Sequence, residues 1–237
     1  MGVSNKNYFL LRKLHQFTGA IPLGAYLLVH LLINSYSMKG YAEFDSKVHL
    51  LESMPILIFM EIGLIYLPLI YHAVFGIWVG FISKNNPLRF PYARNWNFVL
   101  QRVTGFFLLA FLGYHAWFMR FQGTPIGEMV NSVGYADSGY AKVVAHLSTT
   151  PMLVFYALGV IATAFHFANG LWEFCIDWGV TISMKAQQLS AMVMIVVWLG
   201  ISALGLYAIT GFRLPALVEQ AKQVQPAAAG HTHGEVF

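Results

Sequence analysis

Five long apolar stretches dominate this sequence of 237 residues. Each is close to the ~20 residues that an α-helix needs to cross a bilayer. They cover about residues 14 to 36, 55 to 82, 98 to 119, 151 to 176 and 188 to 212. Only 10% of the residues are charged, against about 25% in soluble domains. The sequence therefore predicts an all-α integral membrane protein with five transmembrane helices in a lipid bilayer.

The distribution of basic residues predicts the orientation, because Lys and Arg in short loops favour the cytoplasmic side. With the N-terminus inside, that side carries Lys6, Arg12, Lys13, Lys84, Arg89, Arg94, Arg102 and Lys185. The basic residues of the other side are largely balanced by acidic ones. We therefore expect a cytoplasmic N-terminus and an outside C-terminus. The net charge of +4 forms no clustered basic patch, so nucleic acid is not an expected partner.

Residues 1–213 are expected to form one transmembrane domain and residues 214–237 a mobile tail. His231 and His233 in this tail could bind a metal, but a solvated tail is the preferred interpretation. Cys175 is the only cysteine. This excludes an internal disulfide, an iron–sulfur cluster held by this chain alone, and haem attached through a C-x-x-C-H motif.

One seven-residue pattern, H-x3-G-x-W, occurs twice, as HAVFGIW from His72 and as HFANGLW from His166. On a helix, residues four apart lie on one face, so Gly76 and Gly170 each lie one turn from the histidine. A glycine there lets a planar group approach the backbone. The repeat indicates a bound planar cofactor, and a porphyrin fits that description.

A second repeat involves the first and third apolar stretches. Thr18-Gly19 precedes His30, and Thr104-Gly105 precedes His115, at nearly equal spacing. At a rise of ~1.5 Å per residue, His30 and His115 share a level in the outer half of the membrane. We call these two residues the outer pair.

His72 and His166 share a deeper level near the cytoplasmic side, and we call them the inner pair. A single histidine in a membrane span is about as well explained by a hydrogen bond between helices as by cofactor ligation. Four histidines at matched depths favour cofactor ligation. Haem needs only two axial imidazoles, whereas zinc needs four ligands. The sequence predicts a four-helix bundle with two bis-histidine haems b, whose filled axial positions leave electron transfer as their role.

Several residues near the cytoplasmic edge are candidate partners of a haem propionate. His15 could hydrogen-bond a propionate or simply cap an interfacial helix, and both alternatives stay open. Trp96, Gln101 and Arg102 begin the third span. The Arg102 guanidinium can donate two parallel hydrogen bonds to a carboxylate, but such residues also anchor helices at the membrane interface.

Towards the outer surface, Glu61 lies inside an apolar stretch. It is either a neutral, hydrogen-bonded group or a proton carrier to a quinone near the outer pair. Glu52 is a weaker candidate for the same proton route. A solvated loop is the preferred interpretation of Asp45. His49 and His146 are expected in outer loops, as solvated or interfacial residues rather than ligands.

Four segments resemble one known family: RKLH near the start, PLIYHAVFG, RNWNFVLQRVTG and FHFANGLW. Together with the five spans and the four histidines, they are similar to the di-haem cytochrome b membrane anchor of succinate:quinone oxidoreductases, respiratory complex II, of the single-anchor type. The resemblance extends from about Arg12 to Phe212. The resemblance implies that the outer pair holds an outer haem b and that the inner pair holds an inner haem b.

The resemblance also implies partners and a location. It implies a flavoprotein with FAD and an iron–sulfur subunit, both on the cytoplasmic face of a bacterial membrane, and menaquinone as the electron acceptor near the outer haem. The tricarboxylic acid cycle enzyme succinate dehydrogenase is the expected complex. Fumarate reductase working in reverse, an independent transmembrane cytochrome b, and a colourless anchor without redox function are the alternatives.

Overall fold

The computed structural model describes residues 5–121 and 138–220. In these ranges the chain is helical and contains no β-strand. Five helices are long and apolar enough to cross a membrane, which confirms the predicted number of spans. They are α1 (Asn5–Lys39), α3 (Leu57–Ile82), α4 (Ala93–Phe121), α6 (Thr150–Asp177) and α7 (Met184–Gly211).

Two of these helices begin well before the apolar stretches that predicted them. α1 begins at Asn5 and α4 at Ala93. Backbone hydrogen bonds continue a helix through polar residues, whereas hydropathy marks only the part suited to hydrocarbon. The polar first turns are therefore helical extensions of the spans.

The connections between α1 and α3 and between α4 and α6 contain two further helices, α2 (Tyr41–Glu52) and α5 (Gly139–His146). Asp45 joins them, since it accepts hydrogen bonds from the Ser138 hydroxyl at 2.6 Å and the Tyr140 backbone N–H at 2.9 Å. The expectation of a solvated loop at Asp45 is wrong, because these donors draw the half-buried carboxylate into a helix contact. Residues 215–220 form α8, and residues 221–237, with His231 and His233, lie outside the described residues.

The chain divides into two compact units. The first contains Met1–Val29, Pro55–Phe111 and Gly159–Ser202. Within it, α1, α3, α4 and α6 pack in a ring in that order, and α7 packs on α6. The contacts are Tyr71 with Leu11, Phe81 with Phe106, Gln101 with His166, Phe167 with Gly24, and Trp172 with Gln187. In this unit the first four spans thus form the expected four-helix bundle.

The second unit contains His30–Met54, Leu112–Leu158 and Ala203–Phe237. Its core is an aromatic cluster of Phe44, Tyr140 and Phe212, with ring centroids 5.1 to 5.9 Å apart. The fully buried Tyr140 donates its hydroxyl to the carbonyl of Gly211 at 2.8 Å. Ser37 likewise donates to the carbonyl of Ala208 at 2.6 Å. These bonds tie the end of α7 to the end of α1 and to α5.

Three spans contain a π-helical turn, at Gly19–Leu23, Glu61–Tyr66 and Trp117–Phe121. The first contains Pro22, which has no backbone N–H to donate. Such turns widen a helix locally and frequently occur at functional sites. The turn in α1 begins at the glycine that approaches the inner pair, as described below.

Many large apolar side chains point away from the protein. Phe59 is 74% exposed and Phe81 77% exposed. On a soluble domain such surfaces would favour aggregation. Around helices of this length they are the surface that contacts lipid, in agreement with an integral membrane protein.

Candidate cofactor site

The inner pair lies in the first unit. The ring centroids of His72 and His166 are 6.2 Å apart, with an angle of 77° between the ring planes. Two imidazoles on opposite sides of one metal ion, each with a metal–nitrogen bond of about 2 Å, have centroids about 6 Å apart. The spacing of the inner pair therefore fits two axial ligands of one haem iron.

Each ring of the inner pair has a partner for its Nδ1 atom. Nδ1 of His72 lies 3.0 Å from the backbone carbonyl oxygen of His15, to which only a protonated Nδ1 can donate. Nδ1 of His166 lies 3.1 Å from the hydroxyl oxygen of Thr104, whose own hydrogen is donated to the carbonyl of Leu100 at 2.7 Å. Both rings thus favour the tautomer with the lone pair on Nε2, the arrangement typical of a metal-binding histidine.

The glycines of the two Thr-Gly dipeptides lie against the same two rings. A Cβ atom on Gly19 would lie 2.5 Å from Cε1 of His72, and one on Gly105 would lie 3.2 Å from Cε1 of His166. These glycines therefore belong to the inner pair, although each was singled out with the histidine that follows it on its own helix. Each glycine precedes that histidine by 11 or 10 positions, about 15 to 16 Å along a helix, so it lies at a different level of the span.

His15 lies in the same site. Its ring stacks on that of His72 with centroids 4.0 Å apart, and its buried Nδ1 atom has no hydrogen-bond partner within the described ranges of the chain. A Cβ atom on Gly76 would lie 3.2 Å from its Cε1 atom. The structure thus brings His15 to the inner pair, and its role with a propionate stays a prediction.

A chain of polar side chains continues from His166. Gln101 donates to the carbonyl of His166 at 3.1 Å, and Asn169 donates to Gln101 at 2.9 Å and to Glu173 at 3.2 Å. A Cβ atom on Gly170 would lie 3.3 Å from the Gln101 amide nitrogen. Asn169 is 5% exposed and was not predicted to have a role. A polar residue within an apolar span is the signal that could have identified it.

The outer pair lies in the second unit. The ring centroids of His30 and His115 are 5.7 Å apart, with an angle of 84° between the planes. Asn34, one turn beyond His30, donates to its backbone carbonyl at 2.8 Å. The ring of Tyr156 lies 5.7 Å from that of His115. The second predicted pair is therefore also brought together, at a spacing similar to that of the first.

Within residues 5–121 and 138–220, no group of three or more His, Cys, Asp or Glu side chains could hold a metal ion. The ligand sets available in this part of the chain are pairs of imidazoles. Such pairs suit haem, whose porphyrin supplies the four remaining ligands of iron.

Comparison with known proteins decides the family. Residues 83–205 match the family described as succinate dehydrogenase/fumarate reductase transmembrane subunit. The chain is also similar to the succinate dehydrogenase cytochrome b558 subunit of Bacillus subtilis (strain 168), with 40% identity over 210 residues, which are 89% of this chain and 100% of that protein. The chain belongs to this family. The resemblance seen in the sequence is confirmed.

The remaining propionate candidates of this family member lie at the start of α4. The Arg102 guanidinium lies 3.3 Å from the ring centroid of Phe98 and donates to the Phe98 carbonyl at 2.9 Å. Trp96 is 42% exposed. Both positions suit interfacial anchors, and the role of either residue in holding a propionate stays a prediction.

The two candidate proton carriers lie in different surroundings. Glu61 begins the π-helical turn of α3 and is half-buried. Glu52 ends α2, is exposed, and lies 3.5 Å from Nδ1 of His49. The structure agrees with a solvated His49, although that residue lies on a helix rather than in a loop. Neither carboxylate is assigned a role by the structure.

His146 ends α5 rather than lying in a loop, contrary to expectation. Its Nε2 atom is buried and has no hydrogen-bond partner in the part of the chain that the structure describes. The rings of Phe118, Tyr156 and Tyr114 have centroids 5.1, 5.4 and 5.5 Å from its own. Burial lowers the pKa of His146, and the positive charge of Lys142 lowers it further. The short α5 helix, which hydropathy did not reveal, turns this side chain inward.

Proposed function

We propose that this chain is the cytochrome b membrane anchor of a succinate dehydrogenase. It would bind one haem b between the inner pair and one between the outer pair, and pass electrons to a membrane quinone. The observation that carries the proposal is the spacing of the two pairs, 6.2 and 5.7 Å between ring centroids. The likeness to a cytochrome b558 subunit over that protein's whole length supports haem as the ligand.

The protein side chains would hold and orient the cofactor. His72 and His166 would supply two axial nitrogens, which the carbonyl of His15 and the hydroxyl of Thr104 keep in one tautomer and one orientation. Gly19 and Gly105 leave room beside the imidazoles. A haem held by two histidines would supply one-electron transfer. Apolar spans around the site keep water from it.

Electrons would enter at the inner pair and leave at the outer pair. A flavoprotein with FAD and an iron–sulfur subunit would dock on the cytoplasmic face, where the excess of basic residues is expected. Arg94 over the ring of Trp172 and Arg12 paired with Asp177 at 2.7 Å are part of that charged end. Menaquinone would be reduced near the outer pair, with Glu61 and Glu52 as candidate proton carriers.

Two alternatives make different predictions. A fumarate reductase would use the same sites with the electron flow reversed, and relative rates of succinate oxidation and fumarate reduction in membranes would identify the physiological direction. An independent cytochrome b would purify without a flavoprotein or an iron–sulfur protein. The similarity to a succinate dehydrogenase subunit favours the assembled complex.

The test is a dithionite-reduced minus oxidised optical spectrum of the purified protein, with haem b per chain measured as the pyridine haemochrome. We expect two low-spin haems b per chain. His72→Leu and His30→Leu should each retain one haem, because each removes an axial ligand from a different pair. His49→Leu is the matched control, since His49 has a side chain that is 70% exposed. A colourless wild-type protein would refute the proposal.

A further inference from the structure

In the second unit, the Nε2 atom of His146 is buried and has no hydrogen-bond partner among the described residues 5–121 and 138–220. Neutral and charged imidazoles both carry groups at this position that form hydrogen bonds. A buried polar atom without a partner is unfavourable unless a ligand or water satisfies it. A ligand or a water at this position would supply the hydrogen bond that this atom lacks.

The side chains around His146 are aromatic. The rings of Tyr114, Phe118 and Tyr156 surround it at centroid distances of 5.1 to 5.5 Å. Flat aromatic faces suit a planar ring, which they contact by offset stacking or edge to face. A planar ligand with a polar atom at its edge fits such surroundings better than a flexible or highly charged one.

The site adjoins the outer pair. Tyr156 neighbours both His146 and His115, with ring centroids 5.4 and 5.7 Å away. His146 is thus one aromatic ring from a proposed haem ligand. A ligand held here would be close to the place where electrons are proposed to leave the protein.

We propose that His146 is a quinone-binding residue, whose Nε2–H donates a hydrogen bond to a carbonyl oxygen of the quinone ring. The inference rests on the proposed function, which has a quinone reduced near the outer pair. Nothing in the sequence pattern points to this residue. The aromatic rings of Tyr114, Phe118 and Tyr156 would hold the quinone ring beside it.

The charge state of His146 supports a neutral ligand. Burial lowers the pKa of His146, and the positive charge of Lys142 lowers it further, so both favour the neutral imidazole. Lys142 itself donates to the carbonyl of Met119 at 3.2 Å. A neutral imidazole suits a quinone carbonyl, whereas a haem propionate would favour a charged partner. The propionate is therefore the competing ligand that the experiment must separate.

The experiment uses the purified complex with all its subunits and compares His146→Leu, His146→Gln and the control His49→Leu. For each we would measure haem b per chain, the KM and kcat for menadione as acceptor, and succinate-dependent reduction of a water-soluble dye. Dye reduction reports the assembled soluble subunits. The haem count tests the proposed function separately from the role of His146.

We expect His146→Leu to raise the KM for menadione about tenfold, as the loss of one hydrogen bond would, with two haems and normal dye reduction. His146→Gln should change the KM by less than about threefold, because its amide still donates. An unchanged KM in His146→Leu would overturn the inference. Loss of one haem in that variant would also overturn it, in favour of a propionate partner. A wild-type complex without haem would refute the proposed function itself.

Discussion

The hydroxyl oxygen of Thr104 lies 3.1 Å from Nδ1 of His166, within reach to accept its hydrogen. The bond joins α4 to α6 inside the first unit. Its counterpart between α1 and α3 is the bond from Nδ1 of His72 to the backbone carbonyl of His15, at 3.0 Å. One ring of the inner pair is therefore held by a side chain that mutation can remove.

Thr104→Val should remove the acceptor without changing the side-chain shape. An acceptor on Nδ1–H makes the imidazole a stronger donor to iron, so its loss should raise the midpoint potential of one haem and weaken haem retention about tenfold. Potentiometric titration and haem retention after dialysis would measure this. Thr104→Ser should restore both values. Thr163→Val is the matched control, because Thr163 bonds only the carbonyl of Gly159 on its own helix.

Gly19→Ala should cost the protein one haem. The added Cβ would lie 2.5 Å from the His72 ring, so the ring must move from its position opposite His166. Haem b per chain should fall from two towards one. Gly105→Ala, with 3.2 Å to His166, should have a smaller effect. Gly200→Ala, which meets nothing within 4 Å, should keep both haems, and equal haem content in all three variants would contradict the prediction.

Asp45→Ala should lower the thermal stability of the protein without changing its haem content. The substitution removes the acceptor of Ser138 and of the Tyr140 backbone N–H, which is expected to cost about 1 to 2 kcal/mol. The melting temperature in detergent is the measurement. Glu43→Ala, an exposed position on the same helix, is the control. Equal melting temperatures would show that the contact between α2 and α5 contributes nothing.

Glu61→Gln should leave both haems in place and slow quinone reduction at least tenfold, if this carboxylate carries protons. The amide keeps the shape and most hydrogen-bonding capacity but cannot exchange a proton at neutral pH. Succinate:menadione turnover and the reduced-minus-oxidised spectrum are the measurements, with Glu43→Gln as the control. Unchanged turnover would remove Glu61 from the proton route.

The five spans and the candidate histidines were predictable because their signals are local. A bilayer requires about 20 apolar residues per helix, and an imidazole in such a stretch is conspicuous. The spacing of His30, His72, His115 and His166 relative to charged residues also predicted which would pair, and the structure brings each predicted pair together.

The contacts around these histidines were not predictable in the same way. Thr104 and His166 are 62 residues apart, and His15 and His72 are 57 apart. Neither hydropathy nor the pattern of the surrounding helix identifies Thr104 as the partner of His166 or His15 as the partner of His72. Asp45 and His146 were misjudged for a related reason, since the expectation of a loop overlooked the short helices α2 and α5, which half-bury both side chains.

By itself, the sequence determined the number of spans, the all-helical fold and the histidines able to ligate a cofactor, because transfer of side chains into hydrocarbon depends on residue type and run length. Only the tertiary structure decided which groups hold the histidine rings, which glycines lie against these rings, and that the His146 side chain is half-buried. These properties depend on the rotation and packing of helices against each other, to which residues distant in the sequence contribute equally.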